Sequence, residues 1–576
     1  MQIILRCLFF AVINLNNSKQ KYISSAVLLL LSSILVKAIS AVYKIPLTAY
    51  IGATGRGYFN IAYNFYMPVH ALIMGAFPVA LSHLVSKYNE KGDSAKIYSL
   101  KRASGRLFFV IGAIGLGIMF IFAKPYAEMI SASPKSIYTI YILLPSVLFS
   151  SMAACRRSLA EGYMNMVPTS VSQIIEAAFK LVFGLLFAKI SMGYLFEAYL
   201  ESGAVLGVIC ESEETALSMI YPLTSAAAMG GVTAGSFFSL IYVSVYTSVK
   251  YNSTIPNRKY KTGESLKEIL SFSAPIIVST VIQSASTFLD NASVQYFLSL
   301  CSREGLRNAY ATCLQMSATP EEDTVTYIYG LFSSAQDFKM LLPGFTMALG
   351  VAAVPAVSAA FEAHSRDRLS SLSNSIFKYT SIIAFGGGFY LSLVAPHMLN
   401  ILYNSSNYDI VIGCSDLVYF YGFTMIFYCL AGVAVFSVQA IGCAKKSIPS
   451  FILSAAVRVG INYLLVADYR YNLYGAVISG AAGYFVILIA NLYIFKKYSD
   501  IKYKLSDMLF KPLLCSVLSF LVAKIMINSI FGDNGYVLNF VVLSGIYITF
   551  FAVVCILSKL ITFSEIKILH IGKKSA

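Results

Sequence analysis

The segment Ile23-Ser-Ser-Ala-Val-Leu-Leu-Leu-Leu-Ser-Ser-Ile-Leu-Val-Lys37-Ala-Ile-Ser-Ala-Val-Tyr-Lys44-Ile45 is long and apolar enough to cross a bilayer, yet it carries two lysines. A hydrocarbon core of about 30 Å needs about 20 such residues in a helix. A cation at its centre costs about 2.5–3.5 kcal/mol on insertion scales, so it normally faces a polar cavity and serves a purpose. Other apolar runs repeat the pattern with Lys180, Lys339, Lys378 and Arg458, whereas their clear acids are Glu176, Asp290 and Asp337. Surplus positive charge inside a membrane suits an anionic substrate.

The rest of the chain agrees with that segment. Of 576 residues, 57% are hydrophobic and 12% charged, with a mean hydropathy of +0.71, which excludes an ordinary soluble protein. Apolar runs predict an all-α polytopic membrane protein of about 14 transmembrane helices. These are 23–45, 57–84, 106–124, 136–155, 167–189, 217–247, 269–299, 328–360, 373–403, 413–442, 448–467, 472–495, 507–527 and 537–558. The opening run Cys7–Leu15 is too short to span and lacks a small-residue cleavage site, so no signal peptide is expected. The ten cysteines form no C-x-x-C pair, and Cys301 and Cys313 are expected as free thiols.

A cytoplasmic N-terminus places the basic loops 87–106, 156–157, 250–267, 366–368, 445–446, 496–511 and 559–574 inside, about 29 of the 43 Lys and Arg. The acidic stretch Glu197–Glu214 and Glu321-Glu322-Asp323 then lie outside. This pattern accounts for the net charge of +16 without nucleic acid, and it puts both termini in the cytoplasm.

The chain also echoes itself at offsets of about 270–280 residues. Gly75-Ala-Phe-Pro78-Val-Ala-Leu-Ser82 resembles Gly350-Val-Ala-Ala-Val-Pro355-Ala-Val-Ser358, and Ala123-Lys-Pro125 resembles Val394-Ala-Pro396. Gly162 with Pro168 is echoed by Gly442 with Pro449, and Ala177-Ala-Phe-Lys180 by Ala455-Ala-Val-Arg458. Six spans answering six implies two lobes in a parallel pseudo-two-fold repeat, plus two C-terminal helices. The expected division is a cytoplasmic segment 1–22, an N-lobe 23–247, a cytoplasmic linker 248–268, a C-lobe 269–497, and 498–576 with the last two spans and a cytoplasmic tail.

Lys37 and Lys44, seven apart, stack on one helical face. Two ammonium groups in a low-dielectric cavity would suit a diphosphate. Lys44 could instead snorkel to the interface. Arg56, in Gly52-Ala-Thr-Gly-Arg-Gly57, sits in a tight turn or guards an outer cavity mouth. Lys339 and Arg458 are the diphosphate-contact counterparts in the second lobe. Glu176 and Lys180, four apart and acid first, form either a structural ion pair or a charge-switched gate. Asp290 has three open roles: pairing with Lys339, carrying a coupling ion, or staying protonated. Asp337 and Lys339, two apart, point to different faces. Pro68, Pro78, Pro145, Pro275, Pro343 and Pro355 fall within spans and are candidate hinges. There is no Walker motif, no H-E-x-x-H and no G-x-S-x-G, so no enzyme, cofactor or metal site is expected. Without an ATPase domain, transport would draw on Na+, H+ or the membrane potential.

The stretches Lys37-Ala-Ile-Ser-Ala-Val-Tyr-Lys-Ile-Pro-Leu47, Gly57-Tyr-Phe-Asn-Ile-Ala-Tyr63 and Gly75–Ser82 resemble the opening of the stage V sporulation protein B family. That family lies in the polysaccharide-transporter branch of the multidrug/oligosaccharidyl-lipid/polysaccharide superfamily, with the MurJ-like lipid II flippases. Arg157-Ser-Leu-Ala-Glu-Gly162 followed by Pro168-Thr-Ser-Val-Ser-Gln-Ile-Ile-Glu176 is similar to the family's next segment. Arg157 thereby joins the gating or coupling candidates Asp290, Asp337, Glu176 and Lys180. Ser158, Glu161 and Lys180 stand where the family usually has Gly, Gln and Arg, and the loop 190–216 is longer.

The resemblance implies a two-lobed exporter of undecaprenyl-diphosphate-linked sugars in the bacterial cytoplasmic membrane. It would work as a monomer in the lipid bilayer, alone or with cell-wall synthesis machinery. The alternatives are a multidrug/cation antiporter of the same superfamily, a cell-wall assembly scaffold and a membrane glycosyltransferase. The antiporter would want acids, not lysines, in its cavity.

Overall fold

A computed structural model describes residues 18–251, 261–403, 407–530 and 535–561. The run Cys7–Leu15, part of the expected linker, both termini and the C-terminal tail lie outside them. The described chain is helical throughout, apart from a two-stranded antiparallel hairpin of β1 (Ala204–Val205) and β2 (Val208–Ile209). Twelve described helices are long and apolar enough to cross a membrane, or thirteen with the helix bent by 45° at residue 275. The protein is an all-α polytopic membrane protein.

The first two expected spans, 23–45 and 57–84, lie on either side of a kink at Gly52, where the backbone of α1 (Ser18–Glu90) leaves the helical region, and with no loop between them they enter that count once. The apolar stretch Leu31–Glu90 is 60 residues long, enough for one span on each side of the kink. Gly52 takes a φ of 60°, a conformation in which a Cβ would be strained. The remaining helices of the first half are α2 (Ser94–Pro125), α3 (Ser136–Gly162), α4 (Val167–Ser202), α5 (Glu213–Lys250) and α6 (Thr262–Leu300).

Two short helices, α7 (Arg303–Ala309) and α8 (Ala311–Met316), follow, with Cys301 and Cys313 buried beside and within them. The expected eighth span is two helices, α9 (Thr324–Lys339) and α10 (Leu341–Glu362). Pro343 has no N–H to offer the carbonyl of Lys339, so the ladder stops there. The chain ends with α11 (Arg366–Tyr403), α12 (Tyr408–Ala440), α13 (Ile448–Ile461), α14 (Asn472–Ser499), α15 (Lys511–Ile530) and α16 (Tyr536–Leu557). Helices α4 and α13, which carry Lys180 and Arg458, each begin with a proline in the first turn, Pro168 and Pro449. There the missing N–H costs nothing.

The described chain forms two compact units. One holds the residues up to Ser299 with Ala318–Gly330, and the other holds Leu300–Ser317 with the residues from Leu331 onward. Helix α6, which the repeat assigns to the second lobe, makes its described contacts in the first unit. Near its start, Glu268 accepts a hydrogen bond from Tyr88 (2.7 Å) and pairs with Lys96 (3.3 Å). Near its end, Gln295 accepts from Tyr126 (2.9 Å). These partners come from segments that the charge pattern places on opposite membrane faces.

Inside the first unit, α4 and α5 meet backbone to backbone. A Cβ on Gly231 would stand 2.3 Å from the Gly184 nitrogen, and one on Gly235 would stand 2.6 Å from the Glu176 carbonyl oxygen. Small residues allow this approach between membrane helices. Gly231→Ala is expected to cost about 1–3 kcal/mol through overpacking. Thermal unfolding of the purified protein checks it, and an unchanged melting temperature would count against a tight seam.

Candidate functional site

In the first unit, α1 presents aromatic rings at helical spacing. Tyr43 and Phe59 lie 6.3 Å apart across the Gly52 break, and Phe59, Tyr63, Tyr66 and His70 continue the series at 6.1, 6.0 and 5.0 Å. The Lys180 ammonium on α4 sits over two of these rings, 4.9 Å from Tyr63 and 5.4 Å from Tyr43. Electron-rich ring faces attract a cation that has left water. Lys44, next to Tyr43 on α1, is half-buried. Arg56 is 1% exposed, so it lies inside the unit rather than at a mouth, and its carbonyl accepts a hydrogen bond from Asn60. Lys37, on the same helix, is exposed.

Glu176 pairs with Arg157 at 2.9 Å, a different partner from the neighbour on its own helix that the spacing suggested. The buried Arg157 guanidinium also donates to Ser172 (2.8 Å) and Ser239 (2.6 Å), so one side chain ties α3, α4 and α5 together. Asp290 is half-buried in α6, in the first unit, where its carbonyl accepts from Ser293.

The second unit holds a related arrangement. Lys339, at the end of α9, is 7% exposed and lies 5.2 Å from the Tyr484 ring and 5.4 Å from Tyr421. The Arg458 guanidinium, 4% exposed, is 4.2 Å from the same Tyr484 ring, which stacks on Tyr428 at 4.1 Å. Glycine makes the room: a Cβ on Gly483 would stand 2.0 Å from Arg458 Nε. Two cations on one ring repel each other, so an anion between them is favoured over a further cation. Asp337 is half-buried two residues before Lys339.

Outside the spans, the first unit carries a polar latch. Lys135 pairs with Glu322 (2.6 Å) and Asp323 (3.3 Å). Asp323 also accepts from Ser218 (2.6 Å) and Tyr58 (2.7 Å). Its four contributing segments all belong to the face expected outside. The Lys135 ammonium, followed by the Ser218 hydroxyl, holds the Glu322 carboxyl below the usual carboxylate range. A carboxylate with a depressed folded-state value adds stability above its unfolded value and loses it as pH falls through the folded one. Lys135→Met is therefore expected to cost about 1.5–3 kcal/mol at neutral pH, mostly through the buried Asp323, because the exposed Glu322 is screened. The part of the gap in melting temperature that Glu322 carries should narrow as the medium is acidified through its depressed carboxylate range. A gap independent of pH would show that the latch is not electrostatic.

Sequence reasoning found the cations but missed their aromatic partners Tyr43, Tyr63, Tyr421 and Tyr484, along with Tyr66 and His70. The signal was the spacing of Phe59, Tyr63, Tyr66 and His70, which is that of one helical stripe.

Residues 23–211 match the family described as "Polysaccharide biosynthesis protein". The chain is 22% identical over 501 residues to the lipid II flippase MurJ of Bacillus subtilis, covering 84% of each protein. It is 22% identical over 500 residues to stage V sporulation protein B of the same organism, covering 85% of this chain and 86% of the relative. A solved structure of lipid II flippase MurJ in an inward closed conformation shares the fold, with a TM-score of 0.65 and 15% identity, covering 92% of this chain and 99% of that one. The resemblance to the MurJ-like and stage V sporulation protein B branch holds over most of the chain.

Proposed function

We propose that the chain is a flippase that moves undecaprenyl-diphosphate-linked sugars, lipid II-like or a polysaccharide precursor, across the bacterial cytoplasmic membrane by alternating access. The observation that carries this is the set of membrane-depth cations held on tyrosine rings in both units, Lys180 in one and Lys339 with Arg458 in the other. A diphosphate offsets the desolvation of such groups, and a lipid tail keeps its carrier in the bilayer. In this reading Lys37, Lys44 and Arg56, joined by Lys180, are the diphosphate contacts of the first unit, and Lys339 with Arg458 are their counterparts in the second. Arg157, Glu176, Asp290 and Asp337 gate or couple the movement.

The proposal needs no bound cofactor and takes its drive from Na+, H+ or the membrane potential. Both termini lie in the cytoplasm, and the sequence repeat divides the chain into 23–247 and 269–497, with α6 packed on the first unit. One matched relative and one solved structure of similar fold are lipid II flippases by name, which supports a transporter here. A cation antiporter is disfavoured because Glu176, the acid beside the first cluster, is already paired with Arg157.

The test is reconstitution in liposomes with fluorescent lipid II and with an undecaprenyl-diphosphate oligosaccharide, measuring translocation of each. Movement of either lipid is expected. Cation efflux with neither lipid moving would overturn the proposal.

A further inference from the structure

A second polar cluster lies one to two helical turns along α1 from the Lys180 cluster, built from groups that diphosphate binding does not use. His70 Nδ1 is 2.6 Å from the Tyr66 hydroxyl. That hydroxyl is 3.3 Å from Ser150 Oγ on α3, and Ser150 donates to Ser236 Oγ on α5 at 3.4 Å. Three helices thus share one chain of hydroxyls ending on an imidazole. Imidazole is the side chain whose ordinary titration lies between pH 5 and 8.

We infer that His70 is a proton-binding site whose occupancy sets the affinity of the first unit for its anionic ligand. In the neutral ring, Nδ1 accepts the Tyr66 O–H and the proton sits on Nε2. When a proton adds at Nδ1, the new N–H donates to Tyr66 Oη, and the Tyr66 O–H turns to Ser150. Ser150 already donates onward to Ser236, so every hydroxyl keeps a partner. One proton is gained and no heavy-atom bond changes. Pro68, between Tyr66 and His70, leaves the Asn64 carbonyl without its helical donor, so the backbone there can adjust.

The charged groups that act on the ring are Glu176 from α4 and Arg157 from α3, already joined to each other. Lys180 lies one turn beyond Glu176. Helix α5 offers the Ser236 and Ser239 hydroxyls, and α2 has no titratable group between Arg106 and Lys124. The aromatic series runs unbroken from His70 through Tyr66 to Tyr63, under Lys180. A positive charge on His70 therefore joins the field of Lys44 and Lys180 and strengthens anion binding. By linkage, a bound anion strengthens proton binding by the same factor.

This inference rests on the anion-binding reading of Lys44 and Lys180, but the titration of His70 can be measured without it. The chain has five histidines, so a 15N-histidine NMR titration of the full-length protein in nanodiscs can be assigned by single replacements. His70 is expected to take up a proton within the pH range over which the protein stays folded, and Tyr66→Phe is expected to move the midpoint. Inorganic pyrophosphate is the anion probe. The ratio of its affinities for wild type and His70→Gln is expected to rise at least about fivefold from pH 8.5 to 5.5. Taking the ratio cancels the probe's own titration.

A ratio that stays constant with pH, or a His70 resonance that is flat over the range, would overturn the inference. If His70→Gln does not fold, the wild-type titration, assigned by replacing the other histidines in turn, decides the matter alone. Failure of lipid translocation with an intact pH-dependent ratio would count against the flippase and not against this site. Translocation with a flat ratio would do the reverse.

Discussion

Translocation of the lipid-linked substrate falls about 10- to 100-fold in Lys180→Ala, the loss expected when one charged contact to a phosphate is removed. The ammonium lies over Tyr63 and Tyr43 at 4.9 and 5.4 Å, so its position is fixed before any ligand arrives. Removing a cation at membrane depth eases insertion, so the amount of protein in the membrane should hold or rise. That separates a transport defect from a folding one. Lys180→Arg should keep much of the activity, because a guanidinium also stacks on aromatic faces and grips phosphate. Normal transport by Lys180→Ala in reconstituted liposomes would remove the main support for the diphosphate site.

Arg157→Leu is expected to lower stability by about 2–4 kcal/mol, slightly below the usual cost of breaking a buried ion pair, because the Glu176 side chain keeps 31% exposure. The variant strands the Glu176 carboxylate and deprives Ser172 and Ser239 of a donor. The double variant Arg157→Leu/Glu176→Leu should recover most of the loss, since it removes both charges together. Thermal unfolding of the three proteins decides this. A double variant as unstable as the single one would mean that Arg157 acts through packing rather than charge.

The helical class and membrane placement were legible because a run of about 20 apolar residues has few other outcomes. The cations were legible for the same reason: Lys339 and Arg458 violate the rule that the rest of their helices obey. Their partners were not, because a tyrosine in a membrane helix breaks no rule, and which ring lies under which cation depends on helix rotation. The pairing of Glu176 was hidden likewise. Spacing on one helix favoured Lys180, whereas tertiary packing brought in Arg157 from α3. The break at Met340 could be read from Pro343, but that the first two spans meet at a kink at Gly52 without a loop could not, since a single glycine reads equally as a loop or a kink.

The glycine seam between α4 and α5 bears on how the first unit can move. Side-chain contacts slide by changing rotamers, but a seam of main chain has none to change. The two helices are therefore expected to travel as one plank, with Glu176, Lys180, Ser236 and Ser239 keeping their spacing. Flexing falls to α1 and α6, which carry a proline at residue 68 and a 45° bend at residue 275 respectively. The rings of α1 then play over a fixed charged edge, and Tyr63, rather than Lys180, is the member of that pair that comes and goes.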